Sequence, residues 1–310
     1  IGSSGIDATG NITATGNISG SSTSTGSFGM LRVGDNGANL ELRTKGANIA
    51  IGNLNTFPYV KNSSAGNYNI AIGTEAMMDL TSGERHTAVG YQAGRHNVTG
   101  DYNSFFGWGA GRGASGQSNS NNTGIGYQAM NAITTGEHNV AVGKNAGYAL
   151  TSGGYHVLIG SGAGQSMTTN ILGSVAIGYN ALASQTVKGR TVAIGVQSLT
   201  SLNRTGQDDY NVAIGYRSGY VTTTGVFNVF IGGLAGQQHQ GQDSVMIGYQ
   251  SGQYATGSHN TFVGQGAGQG GQTSAPYSSG ENNTAVGANA LGNFTTGHEN
   301  TVMGYQAAYS

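Results

Sequence analysis

The stretch NVAIG, residues Asn211 to Gly215, decides the fold of this chain, because close variants of it recur along most of the 310 residues. Fifteen copies run from Asn48 to Gly304, and their final glycines are spaced by 16 to 23 residues, most often by 17. Self-similarity at a short period is typical of solenoids, in which each copy forms one coil and stacked coils bury a continuous core. The pattern therefore predicts an all-β chain, folded as a parallel β-roll of about 15 short coils.

We call the asparagine of the phrase position 0, which places the repeated glycine at position 4. In five copies His, Ser or Thr stands at position 0 instead. Positions 2 and 3 carry no polar side chain in any copy. Because neighbouring side chains of a strand point to opposite faces, one face of each strand can fill the coil and the other needs a cover. We expect Ile214, at position 3, to lie in the interior. The residues that we expect to define the repeat are Asn139, Val142, Gly143, Asn211, Ile214, Gly215, Asn283, Val286 and Gly287.

The second half of each coil is equally regular. From the second copy onward, position 7 is always Ala or Ser, as at Ala76 and Ser218, which indicates close packing. A polar turn follows, often with Thr-Gly or Ser-Gly, where glycine can supply a positive φ. The predicted coil is a strand, a glycine corner, a second short strand and a polar turn.

The second apolar face of the strands predicts an oligomer, since a continuous exposed apolar patch marks an association surface. Closed cyclic symmetry is the commonest arrangement of identical subunits. We expect a homotrimer, in which three rolls bury this face on a shared axis.

Composition argues against several classes of partner. The net charge is −1 and charged residues make up only 8% of the chain, so the sequence lacks the cluster of Lys and Arg that binds nucleic acid. No apolar run reaches the roughly 20 residues that span a bilayer, so we expect no membrane insertion. The absence of cysteine excludes disulfides and thiolate metal sites.

Two stretches resemble known repeats. The phrase from Asn211 to Ser218 resembles the head repeat of trimeric autotransporter adhesins of the YadA type, whose head is a left-handed, trimeric parallel β-roll. The longer stretch TTGEHNVAVGKNAG, Thr134 to Gly147, is similar to repeats in bacteriophage tail-fibre proteins. This resemblance implies a left-handed roll, a trimer and a role in attachment, and it makes a self-cleaving chaperone domain beyond the C-terminus plausible.

The chain divides into three parts. Residues 1–28 are rich in Gly, Ser and Thr, with a six-residue period that favours a β-rich shaft, although a flexible linker fits almost as well. Residues 29–47 alternate like a hairpin and are interpreted as a small β adaptor. Residues 48–310 form the β-roll domain.

The sequence offers no catalytic, metal or cofactor site. Five histidines, among them His86 and His156, lie at or just before the repeated phrase, but their spacing favours turn capping over metal binding. Tyr or Trp follows the repeated glycine in seven coils, as at Tyr91 and Trp108, and we favour packing over a sugar platform. No nucleophile or phosphate-loop motif occurs, and we expect the chain not to be an enzyme.

Three coils are longer than the others and predict surface loops, where binding residues concentrate. Their aromatic and charged residues are the candidates for receptor binding, although tolerated insertions without a role would look the same. The candidates are Tyr59, Lys61, Arg204, Asp208, Asp209, Tyr210, Pro276 and Tyr277.

The leading hypothesis is a structural, receptor-binding segment of a phage tail fibre, located in the virion and attaching to a host surface glycan or surface protein. The alternatives are the head of a trimeric autotransporter adhesin on a bacterial cell surface and a subunit of an extracellular filament. All three share the same coil.

Overall fold

The computed structural model describes residues 48–52, 68–168, 173–186, 189–203, 208–271, 275 and 277–309. Its regular elements are three-residue β-strands: β1 (Ile49–Ile51), β2 (Ile70–Ile72), β3 (Thr87–Val89), β4 (Ser104–Phe106), β5 (Thr123–Ile125), β6 (Val140–Val142), β7 (Val157–Ile159), β8 (Val175–Ile177), β9 (Val192–Ile194), β10 (Val212–Ile214), β11 (Val229–Ile231), β12 (Val245–Ile247), β13 (Thr261–Val263), β14 (Thr284–Val286) and β15 (Thr301–Met303). All fifteen form one parallel sheet in sequence order. The predicted all-β parallel roll is therefore confirmed, whereas the shaft (1–28) and adaptor (29–47) lie outside the residues described.

Equivalent positions pair from coil to coil without slippage. Ala193 pairs with Ala213 across a 20-residue coil, and Phe262 pairs with Ala285 across the longest coil. The same register holds in the coils of ordinary length, as for Ala213 and Phe230. The extra residues of the long coils therefore leave the strand register unchanged.

Alternation along each strand decides which side chains fill the roll. The middle residue points inward, so that Ala213 and Phe230 are completely buried. The first and third residues point outward, and Ile214 remains 37% exposed. The expectation that Ile214 lies in the coil interior is therefore wrong: position 2 faces the core, and position 3 belongs to the outer face.

The second half of the coil is a series of tight turns, and the predicted second strand is not present there. In the coil of β6, the N–H of Ala146 donates to the carbonyl of Gly143 at 3.3 Å, and the N–H of Gly147 donates to Ala163 of the next coil at 2.9 Å. Asn145 and Gly147 have φ values of 56° and 57°. Left-handed residues at alternate positions curl the chain back, so this segment cannot extend as a strand.

The core between strand and turns is only one large side chain thick. A Cβ atom on Gly236 would lie 2.4 Å from the ring of Phe230, which is buried in the same coil. Where the strand residue is small, either position 8 is large, as for Ala176 and Leu182, or a large side chain of the next coil lies against a glycine at position 8, as Leu158 does at Gly147. The coils with a large strand residue and a glycine at position 8 pair Phe105 with Gly111, Leu158 with Gly164, Phe230 with Gly236, Met246 with Gly252 and Phe262 with Gly268.

The repeated glycine at position 4 is required by both its conformation and its neighbours. Gly143 has a φ of 134°, and a Cβ on it would lie 2.6 Å from the carbonyl carbon of Gly160 in the next coil. No side chain fits at that distance, so the coils approach each other through a ladder of glycines.

Position 0 forms a second ladder, which is buried and hydrogen-bonded. The Asn139 side-chain oxygen accepts the N–H of His156 at 3.0 Å, and its amide donates to the carbonyl of Gly153 at 2.9 Å. Asn tolerates such positions because its side chain can bond neighbouring backbone. The structural role predicted for this asparagine therefore agrees with its contacts.

Histidine takes the place of asparagine in two coils by offering the same pair of groups. His86 Nδ1 accepts the N–H of Asn103 at 3.1 Å, and Nε2 lies 2.5 Å from the Gly100 carbonyl, to which it donates in the neutral Nε2–H tautomer. Burial lowers the pKa of His86, although the bond to Gly100 opposes this effect. These contacts support a backbone-bonding role for His86.

Candidate interaction surfaces

The outer strand face consists of the first and third side chains of all fifteen strands. It contains no charged residue, and its only polar residues are threonines and one serine. Branched aliphatic side chains such as Ile125, Ile159 and Ile214 are 37% to 41% exposed. The face is therefore a continuous, solvent-exposed apolar strip that runs the length of the roll.

One border of this strip is a column formed by the residue directly before position 0, here named the leading column. Each of its members is exposed, and each has a left-handed φ. The leading column consists of Tyr68, Arg85, Tyr102, Asn121, His138, Tyr155, Gly173, Arg190, Tyr210, Phe227, Asp243, His259, Asn282 and Glu299.

Planar groups of the leading column stack on one another from coil to coil. The Arg85 guanidinium lies 5.7 Å from the ring centre of Tyr68 and 5.1 Å from that of Tyr102. The rings of Tyr210 and Phe227 are 5.6 Å apart and nearly parallel. Such stacked and cation–π contacts hold the exposed side chains in one row.

The opposite border is the trailing column, formed by the residue directly after the repeated glycine. Its members are exposed or half-buried, and it contains the aromatic stripe predicted from the sequence. The trailing column consists of Thr74, Tyr91, Trp108, Tyr127, Lys144, Ser161, Tyr179, Val196, Tyr216, Gly233, Tyr249, Gln265, Ala288 and Tyr305.

The aromatic rings of the trailing column also cover one another where they are adjacent. Trp108 stacks between Tyr91 at 5.6 Å and Tyr127 at 5.1 Å. A sugar platform needs an open ring face, but the rings of Tyr91 and Tyr127 cover the two faces of Trp108. The geometry therefore favours packing over sugar binding at this point of the column.

The candidate loop residues are only partly placed. Tyr59, Lys61, Arg204 and Pro276 lie outside the described ranges. Asp208 pairs with Arg190 at 3.3 Å, and Tyr210 is 44% exposed in the leading column. Tyr277 is partly exposed and stacks on Tyr254 of the preceding coil, with ring centres 6.2 Å apart.

Asp209 is the exception among the candidates, because the structure buries it completely. Its carboxylate accepts a hydrogen bond from the Gln185 side-chain amide at 2.6 Å. We therefore correct its assignment: Asp209 ties two coils together, and its carboxylate is not on the binding surface.

His239 is the remaining buried titratable group of note. It lies inside the roll against the ring of Phe230, and its Nδ1 lies 2.8 Å from the Ala255 carbonyl. Burial lowers the pKa of His239 to about 4, so the ring is neutral at pH 7. Across the described part of the chain, no group of three or more His, Cys, Asp or Glu residues could hold a metal ion.

Sequence reasoning identified the trailing column but missed the leading column. The signal was present, because an aromatic, Arg or His residue often stands directly before position 0.

No helix among the residues that the structure places is long and apolar enough to cross a membrane. Comparison with protein-family models, curated proteins and solved structures finds no match to this chain.

Proposed function

We propose that this chain is a structural, receptor-binding segment of a phage tail fibre, that it works outside the cell as a homotrimer, and that it attaches to a host surface glycan or protein. The observation that carries the proposal is the outer strand face, which has no charged residue and an apolar third residue in all fifteen strands, and which is half-buried or exposed in the single chain. A face of this kind in a rod-like parallel roll needs a partner of the same length.

The repeat of the face supports a second copy of the same chain as that partner. Parallel strands are about 4.8 Å apart, so fourteen steps extend roughly 67 Å. With three-residue strands about 10 Å wide, the strip covers on the order of 700 Å² per chain, which a trimer divides between two neighbouring copies. Only a surface with the same coil-to-coil spacing can contact the strip in the same way at every coil. A second copy of this chain has such a surface.

Cyclic closure around three copies covers the strip completely and leaves no open end for further subunits. An open head-to-tail arrangement would instead grow into a filament. The resemblance of the repeats to tail-fibre and adhesin sequences supports the same number of copies and the role in attachment.

The assembly is tested by measuring the mass of the full chain in solution with light scattering after size-exclusion chromatography. We expect three times the chain mass of 31.4 kDa. Ile214→Asp places a charge on the outer face and should dissociate the trimer, whereas Thr223→Asp, in an exposed turn, should leave it intact. A soluble, folded monomer of the unmodified chain would refute the proposed assembly.

Attachment is tested by trimming the longest coil. Phe262 and Ala285 pair in register on either side of it, so deletion of residues 271–276 should leave the sheet unchanged. We expect the trimmed trimer to keep its melting temperature and to adsorb less to bacterial cells that bind the unmodified protein. Undiminished adsorption after shortening all three long coils would remove these loops from the binding surface.

A further inference from the structure

The two bordering columns lie at opposite edges of one face. A leading residue and the trailing residue of its own coil are six positions apart, which sets their separation at no more than about 20 Å. If three such faces close around an axis, they form a triangular prism. At each corner of the prism, the leading edge of one copy meets the trailing edge of the next.

The side chains of the two columns differ in size in a complementary way at some levels, whereas Tyr102 with Trp108 and Tyr210 with Tyr216 place two large rings at one level. Where one column has a small residue, the other column of the same coil has a large one at several levels. The clearest levels pair Tyr155 with Ser161, Gly173 with Tyr179, and Phe227 with Gly233. The large partners are exposed in the single chain, Tyr155 by 63% and Tyr179 by 53%, so their surface is free to pack against another copy.

Shifting the two columns by one coil removes this fit at the three clearest levels. Gly173 would then face Val196 or Ser161, which leaves two small residues opposite each other and an unfilled gap. Phe227 would face Tyr249 or Tyr216, which places two large rings in the space of one. Interfaces are packed as densely as protein interiors, so both changes are unfavourable.

We infer that the leading column of one copy packs against the trailing column of the next copy at the same coil level, forming three identical seams along the roll. This inference rests on the proposed homotrimer and specifies which residues meet in it. Three-fold rotation without translation keeps equal levels together, so the symmetry requires the same register that the size match at the three clearest levels favours.

Engineered disulfides test the seam, because the chain contains no cysteine that could interfere. The pair Asn282→Cys with Ala288→Cys lies at one level, and neither side chain is buried. Within one chain these two residues lie beyond opposite ends of β14, up to about 20 Å apart, whereas a disulfide needs Cα atoms closer than about 7 Å. A bond between them can therefore form only between copies.

We expect oxidation to convert this double variant into a covalent trimer on a non-reducing gel, because each copy contributes one cysteine to each of two seams. Phe227→Cys with Gly233→Cys should behave alike. The matched control, Asn282→Cys with Gln265→Cys, is out of register by one coil and should cross-link at least tenfold more slowly.

The outcomes separate the seam from the trimer itself. A chain that remains a trimer by light scattering but forms no disulfide at either equal-level pair overturns the seam and leaves the trimer standing. Faster cross-linking of the out-of-register pair overturns the equal-level register. Covalent dimers alone indicate a two-fold assembly and, like a monomer, overturn both the seam and the proposed trimer.

Discussion

Positions 2 and 8 of a coil share the core volume, so exchanging the large and the small residue between them gives the sharpest test of how the core is packed. Phe230 is fully buried, and its ring occupies the space that a side chain on Gly236 would need. We consider Phe230→Ala, Gly236→Met and the double variant. The coil of Gly124 and Met130 already shows the exchanged arrangement, and its neighbours on either side have glycine at position 8, at Gly111 and Gly147.

The single changes should each be costly. Phe230→Ala removes a buried ring and should lower the free energy of unfolding by about 3–5 kcal/mol. Gly236→Met inserts a side chain at the ring contact, which costs about 1–3 kcal/mol for overpacking. A further 1–2 kcal/mol, roughly, arises because the φ of 56° at this position disfavours a side chain.

The double variant should recover most of this loss, because the methionine fills the volume that the ring leaves. Only the backbone strain and a small mismatch remain, about 2–3 kcal/mol, against roughly 7 kcal/mol for the sum of the two single changes. The expected coupling is therefore about 4 kcal/mol per chain. Urea unfolding followed by circular dichroism measures all four proteins.

A mismatched double variant, Phe230→Ala with Gly268→Met, makes the same chemical changes in two different coils. Its effects should add, since Gly268 faces Phe262 and not the cavity at Phe230. The reasoning is refuted if the matched double variant is no more stable than the mismatched one.

Three further predictions concern the ladders and the buried histidine. The pKa of His239 is about 4 when folded and 6.5 when unfolded, so the unfolded chain binds a proton more readily. The contribution of the neutral ring to stability is therefore fully present above pH 6.5 and is lost as the pH falls toward 4. The free energy of unfolding should fall by about 3 kcal/mol over this pH range. This fall should be absent in His239→Leu, and a variant with the same pH dependence as the unmodified chain would contradict the prediction. Asn139→His should be nearly as stable as the unmodified chain, while Asn139→Ala leaves the buried N–H of His156 unpaired and should cost about 1–3 kcal/mol; equal melting temperatures would show that the ladder bond is unimportant. Gly143→Ala should prevent stacking at that coil, seen as loss of hydrogen-exchange protection of its neighbours, and normal protection would show that the close approach can relax.

The repeat and its phase could be predicted from sequence because position 4 tolerates only glycine and position 0 almost only groups that bond backbone. The sequence could not predict which apolar position faces inward. Ala213 and Ile214 are both apolar, and a shift of one residue exchanges the two faces of a strand. The burial pattern of the structure, with Ala213 inside, decides between them.

The second half of the coil was predicted incorrectly for a related reason. A small residue at position 7 and an apolar one at position 8 suit a short strand as well as a turn. Left-handed conformations at ordinary residues such as Leu182 and Gln197 are rare and leave no clear mark in the sequence. Asp209 was misplaced because charge near a long coil suggests exposure, whereas this carboxylate bonds Gln185 inside the roll.

The position 0 ladder also determines how the rod responds to force. Its hydrogen bonds run parallel to the long axis, so tension along the axis passes through every coil step in series and the weakest step yields first. At Thr191 the N–H reaches the Ser174 hydroxyl only at 3.5 Å, and the buried Thr191 hydroxyl has no hydrogen-bond partner. The nearest steps that have asparagine as the acceptor are shorter, at 3.0 Å from the N–H of His156 to the Asn139 side chain and 2.9 Å from the N–H of Asn228 to the Asn211 side chain. A rod pulled from its two ends should therefore open between β8 and β10 first, well away from both ends.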